Sequence, residues 1–217
     1  MRDFETDVRD TLSDRTPHLA EDADDVARAA VALILAPSRG REPVFVDARA
    51  VGIDDAPDVL FIRRAELDGD PWSGHMAFPG GRQSASDSDL IETARRETRE
   101  ETGVEISRDD VVGRLDDLYP SSPDLPPIVI APFVVWIPER ADIQPNHEIA
   151  GHLWVPLSTL ADPVHRSSFT LQRGDRSRTF DTIEYEGHTI WGLTFNIVSQ
   201  FLDALRSAGF YDGLNGA

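Results

Sequence analysis

Three glutamates within five residues, Glu97, Glu100 and Glu101, lie in the run Arg96-Glu97-Thr98-Arg99-Glu100-Glu101-Thr102-Gly103. If that run is helical, spacings of three and four residues put all three carboxylates on one face. Like charges at that spacing repel by a few tenths of a kcal/mol per pair. A cation removes the repulsion, and hard divalent ions such as Mg2+ take oxygen ligands of this kind. The plain alternative is a solvated acidic face, and carboxylate spacing alone favours that alternative.

The elements needed to position these residues can be read around them. A helix start is expected near Asp87 or Asp89, either of which can cap the first turn and complement its dipole. Leu90, Ile91, Ala94 and Thr98 would form the inner face, and Gly103 stands where a helix wants a left-handed residue. Ahead of the helix, His75 to Phe78 is a short extended segment stopped by Pro79-Gly80-Gly81. The two glycines give the freedom for a tight turn and close approach to a ligand.

The rest of the chain supplies strands. Apolar runs at Val26–Leu35, Val59–Arg63, Val111–Leu118, Ile128–Ile137 and His152–Leu157 predict them, with a further short one at Val44–Val46. Residues 168 to 191 alternate as a β-hairpin with a Glu186-Gly187 turn. Ser158–Leu160 begins a short helix, and Leu193–Leu205 is a closing amphipathic helix with Phe195, Val198, Phe201, Leu202 and Leu205 inward. Phe4, Val8 and Leu12, four apart, suggest a peripheral helix within a polar segment, residues 1–25. The expected domain is 26–206, a single α/β (α+β) unit, followed by a loose tail over 207–217.

Composition narrows the chemistry. The chain has 217 residues and a net charge of −18, and all 21 of its basic residues are Arg. Asp outnumbers Glu two to one, and an acidic surface without lysine resembles a halophile's adaptation to a salty cytoplasm. Such a charge argues against nucleic acid as a partner. No apolar run approaches the roughly 18 residues of a membrane span, and the N-terminus has no apolar stretch of a signal peptide. A cytoplasmic protein with no membrane partner is expected. Without Cys or Lys there is no thiolate metal site, cysteine nucleophile, P-loop lysine or Schiff base. Carboxylate, His, Arg, hydroxyl or metal must do the work.

The stretch Gly81–Val104 resembles the Nudix box: a glycine, a spaced acid, Arg-Glu, then Glu-Glu, glycine and an apolar residue. Arg96, Glu97, Glu100, Glu101, Gly103 and Val104 match its second half. Thr98 replaces the usual apolar residue, packing through its methyl. The early acid falls on Ser88 counted back from Arg96 and on Asp87 counted forward from Gly81, so no role is carried to it. Phe78-Pro79-Gly80-Gly81 and Trp191-Gly192-Leu193-Thr194 resemble the coenzyme A diphosphatase branch. That branch's strand motif ahead of the box is replaced by Leu60-Phe61-Ile62-Arg63-Arg64-Ala65, and its Gly-Gln-Val-type run by Gly74-His75-Met76-Ala77.

The resemblance implies an α/β/α sandwich on a mixed β-sheet, with the box as a loop–helix–loop. It implies Mg2+- or Mn2+-dependent hydrolysis of a nucleoside diphosphate linked to another group. Coenzyme A or its thioesters would yield 3′,5′-ADP and 4′-phosphopantetheine. Metal bridging of phosphate oxygens suits that chemistry. Glu97 and Glu101 are the first-choice ligands, with Glu100 completing the set. Arg96 is expected to orient a glutamate. Gly80 and Gly81 would admit metal and phosphate to the backbone. Arg63 and Arg64 are candidate phosphate clamps, one of which can simply face solvent.

Glu148, just before a strand, is the best candidate for general base; His147 and His75 are weaker options. Trp72, Tyr119 and Trp191 are candidate platforms for adenine, although core packing suits Trp191 and Trp154 better. The competing readings are an ADP-ribose or nucleotide-sugar diphosphatase, a non-catalytic nucleotide sensor, and an acidic scaffold. Intact box glutamates weigh against the sensor, and the glycines and FPGG weigh against the scaffold. A small-molecule nucleotide is the expected partner, and the sequence leaves room for a homodimer.

Overall fold

The computed structural model of the protein describes residues 4–21, 26–38, 56–69, 72–120, 127–173 and 176–210. The strand expected at Val44–Val46 and most of the proline-rich loop before Ile128 lie outside them. Two almost wholly apolar strands, β1 (Ala27–Ala36) and β6 (Ile128–Trp136), form the centre of the main sheet. They run parallel from Ala27↔Ile128 to Leu35↔Trp136. Continuous apolar character is what a strand covered on both faces requires.

The edge of β1 is shared. Its end pairs antiparallel with β2 (Asp58–Arg64) at Leu35↔Val59, and its first half with β4 (Gly80–Arg82) at Ala30↔Gly81. β3 (Met76–Ala77) and β7 (Ile149–Pro156) pair with β2, and β5 (Val111–Arg114) pairs with β6. The result is a seven-stranded mixed sheet.

Period-two alternation along β1 assigns the two faces. Leu33 and Leu35 join a core cluster with Val198, Phe201, Leu202 and Leu205 of α4 (Gly192–Ser207). Ala32, Ile34 and Ala36 face the other way, towards Val104 and Ile106. On that side Ala30 also meets Ala94 of α2 (Leu90–Thr102). Helices therefore cover both faces, as the resemblance implies.

Four local expectations change. The helix α1 (Phe4–Ser13) is not peripheral: Val8 and Leu12 are buried in the same cluster as α4, and Phe4 stacks on Trp136 and meets Phe210 edge-on. Backbone without side chain makes this possible, because a Cβ at Gly113 would lie 2.4 Å from the Leu12 Cβ. Phe210, read as tail, thus packs on α1; residues 211–217 lie outside the described part.

The strand expected to reach Leu118 stops at Arg114, leaving a lone bridge between Leu118 and Ile130. The expected hairpin is a three-stranded sheet, β8 (Arg166–Arg173), β9 (Arg176–Tyr185) and β10 (His188–Trp191). Its Glu186-Gly187 turn has φ of 48° and 78°, the positive pair that a two-residue hairpin favours. Phe195 packs half-buried against the α4-side core, with the Arg166 guanidinium over its ring. The short helix α3 (Leu157–Ala161) lies where expected.

Because α1 belongs to the core, Leu12→Ala is expected to lower stability by about 2–4 kcal/mol in urea unfolding. A helix lying outside the core would lose less than about 0.5 kcal/mol.

Candidate functional site

Helix α2 is fastened at both ends by residues that the sequence marks. Asp89 is the N-cap, its side chain accepting the Glu92 N–H at 2.9 Å. Gly103 ends the helix at φ 73°, donating its N–H to the Arg99 carbonyl. The loop before β7 closes the helix's open carbonyl end: Gln144 N–H donates to Thr102 and Asn146 N–H to Glu101. Asn146 Oδ1 in turn accepts the Glu148 N–H at 2.8 Å, and the Glu148 carbonyl accepts from Ala65 at the end of β2. Capping the helix thus brings Glu148 to its glutamates.

Glu101 points inward and is 2% exposed. Its carboxylate accepts the Gly80 N–H at 2.8 Å, joining α2 to the turn before β4. Burial pushes its pKa up to about 8; the Gly80 N–H and the Arg64 charge oppose that shift, while Glu97 and Glu148 reinforce it. Glu97 is also raised, by burial first, then against Arg96 and with Glu100 and Glu148. The four carboxylates therefore feel one another across α2 and the start of β7.

The glycines make room for this. A Cβ on Gly80 would lie 2.3 Å from the Ala30 carbonyl oxygen, and one on Gly81 would lie 2.5 Å from the Glu97 carboxyl carbon.

Arg96 is the cation of the cluster. It donates to Glu97 at 2.7 Å and to Glu100 at 3.3 Å, and to the Arg82 carbonyl at 3.0 Å. Its firmest partner is Asp87, with both carboxylate oxygens at 2.9 Å. Asp87 also takes hydrogen bonds from Ser84 N–H and Thr93 Oγ1, and Arg96 holds its carboxyl well below the usual range. The two aspartates considered as helix starts thus have separate tasks: Asp89 caps and Asp87 orients Arg96. Asp87 was missed because a box one residue longer than usual gives two counts. The count forward from Gly81 carried the signal.

The structure brings Glu97, Glu100, Glu101, Arg96, Gly80, Gly81, Arg64 and Glu148 together. It does not bring in Arg63, which lines a cavity with Met76 and Leu153, residues of the α4 face. Nor does it bring in His75, whose ring packs on Trp191 at 4.5 Å between centroids. His147 is largely exposed, 4.0 Å from Glu148. Trp191 sits among Phe169, Phe180 and His75, while Tyr119 is 54% exposed. The Trp191-Gly192-Leu193-Thr194 run braces the opposite side of the turn, with Thr194 Oγ1 donating to the Met76 carbonyl at 2.9 Å.

Among the described residues no three His, Asp or Glu side chains already form a metal cage. The donor set nevertheless fits a hard divalent cation. It offers carboxylate oxygens alone, and burial first, then the neighbouring carboxylates, raise the pKa of Glu97 and Glu101.

Comparison with known proteins bears on this geometry. The NUDIX domain model matches residues 44–172. The chain belongs to the Nudix family. It is 32% identical over 143 residues to the Nudix hydrolase NudL of Yersinia pestis, covering 65% of this chain and 69% of that protein. It is 28% identical over 160 residues to the human mitochondrial coenzyme A diphosphatase NUDT8, covering 71% and 65%. An uncharacterized Schizosaccharomyces pombe protein is 34% identical over 160 residues, but the match spans 70% of this chain and only 48% of that one. The chain thus spans from just under half to about two thirds of the length of several curated relatives. A MutT/nudix family protein from Enterococcus faecalis shares the fold, with a TM-score of 0.59 at 19% identity over 87% of this chain and 65% of that one. Divalent metals such as Mg2+ or Mn2+ are general to the family. No described helix is long and apolar enough to cross a membrane.

Two outcomes follow. Glu101 is neutral in both folded and unfolded chains well below its ordinary pKa of 4.5; between there and about 8 only the unfolded chain ionises. Metal-free protein should therefore lose stability as pH rises through that window, and Glu101→Gln should flatten the loss. Asp87 works in the opposite sense, losing its contribution only as pH falls below the carboxylate range. Tm against pH in chelator checks both. Separately, Thr98 is fully buried with its hydroxyl unbonded among the described residues, so Thr98→Val should raise stability by about 1 kcal/mol in denaturant unfolding.

Proposed function

We propose that the chain hydrolyses the diphosphate bond of a nucleoside diphosphate linked to a second group. The favoured substrates are coenzyme A or its thioesters, giving 3′,5′-ADP and 4′-phosphopantetheine. The observation that carries the reading is the buried Glu101 carboxylate, bonded to the Gly80 N–H and coupled to Glu97 and Glu148. A solvated acidic face would not bury that group or bond it to the FPGG turn.

Each residue has a task in this reading. Glu97 and Glu101, with Glu100, would hold Mg2+ or Mn2+, which would supply positive charge against the negative diphosphate and a more acidic bound water. The raised pKa values of Glu97 and Glu101, caused first by burial, favour a bound cation that would offset their charge. Arg96, locked by Asp87, holds Glu97 and Glu100 in orientation and limits their mutual repulsion. Gly80 and Gly81 let the Glu97 and Glu101 carboxylates lie against the FPGG backbone, where phosphate oxygens of the substrate would approach. Arg64, whose charge reaches Glu101, is the phosphate clamp. Glu148 stays partly exposed, and takes the proton from the attacking water as general base. His75 is assigned a bracing role beside Trp191 instead of contact with substrate.

The coenzyme A preference is supported by the FPGG and WGLT runs and by the 28% identity to the human enzyme. A screen at high salt with coenzyme A, ADP-ribose and dinucleoside polyphosphates should show coenzyme A as the best substrate. A higher kcat/KM on ADP-ribose would replace it with the nucleotide-sugar reading. Glu101→Gln is expected to lower kcat by about 1,000-fold with the fold intact by circular dichroism. Glu148→Gln is expected to lower it by about 100-fold or more with KM little changed. Undiminished turnover in both purified variants would overturn the assignment.

A further inference from the structure

Arg63 and Arg64 are neighbours in β2 and leave it on opposite faces of the sheet. Arg64 acts on Glu101, whereas Arg63 lines a separate cavity of about 200 Å3 with Met76, Gly151, His152, Leu153 and His188. In a chain of net charge −18, no residue of this lining is acidic. Among the described residues, neither the Arg63 nor the His188 side chain makes an ion pair or hydrogen bond. Elsewhere Arg96, Arg114 and Arg140 all face aspartates.

The cavity has a shape as well as a charge. Gly151 stands directly opposite Arg63 in the β2–β7 ladder, and the register shifts just beyond, between Arg63 and Arg64. Such irregularities re-aim side chains beside sites. A Cβ built on Gly151 meets nothing within 4 Å, so the missing side chain leaves open space. The volume is below the roughly 300–1,000 Å3 of pockets that enclose whole small molecules. It exceeds the ~30 Å3 of a water several times over, enough for one tetrahedral anion.

We propose that this cavity is a second anion subsite, which binds a phosphomonoester carried by the substrate in addition to the diphosphate. The inference rests on the diphosphatase reading and deepens it. Arg63 supplies the fixed charge and the planar donor pair, and His188 of β10 supplies a further N–H donor, whereas His152 alternates to the other face of β7. Since Arg63 and Arg64 are consecutive, one nucleotide can span from the carboxylate cluster to the cavity at the end of β2. Substrates bearing that extra phosphate are then selected over those without it.

The test compares coenzyme A with dephospho-coenzyme A, which differ in one phosphomonoester. Wild type should favour coenzyme A in kcat/KM by about tenfold or more. Arg63→Gln removes the charge, and Gly151→Val fills the space in a strand position that suits a β-branched residue. Each should bring the ratio to near one, mainly through KM for coenzyme A, with circular dichroism and Tm verifying the fold. An unchanged ratio in both folded variants overturns the subsite. Calorimetry of adenosine 3′,5′-bisphosphate against adenosine 5′-monophosphate separates this from hydrolysis. Tighter binding of the bisphosphate that Arg63→Gln abolishes supports the subsite even if no substrate is turned over, which would sink the hydrolytic reading alone. Equal binding of the two nucleotides to wild type overturns the subsite.

Discussion

A buried carboxylate held by a backbone N–H links the two halves of the site: Glu101 on α2 and Gly80 at the turn before β4. A charged oxygen in that position is costly unless it is matched. One N–H matches it in part, and the raised pKa of about 8 measures what is left. The remainder comes first from burial, and Glu97 and Glu148 on the same side add to it, so the site favours positive charge. The constraint explains the glycines: any side chain on Gly80 or Gly81 would collide with β1 or with the Glu97 carboxylate.

The surroundings stabilise this arrangement without neutralising it. Asp87 binds the Nε and one Nη of Arg96 and leaves the other for Glu97 and Glu100. That fixes two glutamates in direction while Glu101 keeps its place on Gly80. The turn is braced from the α4 side through Thr194 and Met76, and β4 is zipped onto β1. The site is therefore mounted on sheet and helix instead of on free loops, which is what precise positioning demands.

Acidity of the chain as a whole makes the exceptions informative. With carboxylates spread throughout, an acidic cluster means little by itself, and burial is what singles out Glu101. By the same reasoning, an arginine in a cavity with no acidic lining residue is unusual here. Arg63 shows how alternation along one strand divides two like residues between different environments.

Much of the site was legible in the amino-acid order because it is local. Helical spacing placed Glu97, Glu100 and Glu101 on one face, and Asp89 and Gly103 marked the helix ends, since capping depends on residues a few positions apart. The double glycine and the FPGG run announced a close backbone approach. The strands were legible from apolar runs, and so was the closing helix from its periodicity. Other features depended on long-range contact, which periodicity does not encode. Whether Val8 and Leu12 seal a core depends on the bare backbone at Gly113, a hundred residues away. Which aspartate pairs with Arg96 is decided by how the loop folds back on the helix. The parting of Arg63 from Arg64 is set by which face of β2 meets α2. Burial, and with it the pKa of Glu101, exists only once the turn at Gly80 has closed against the helix.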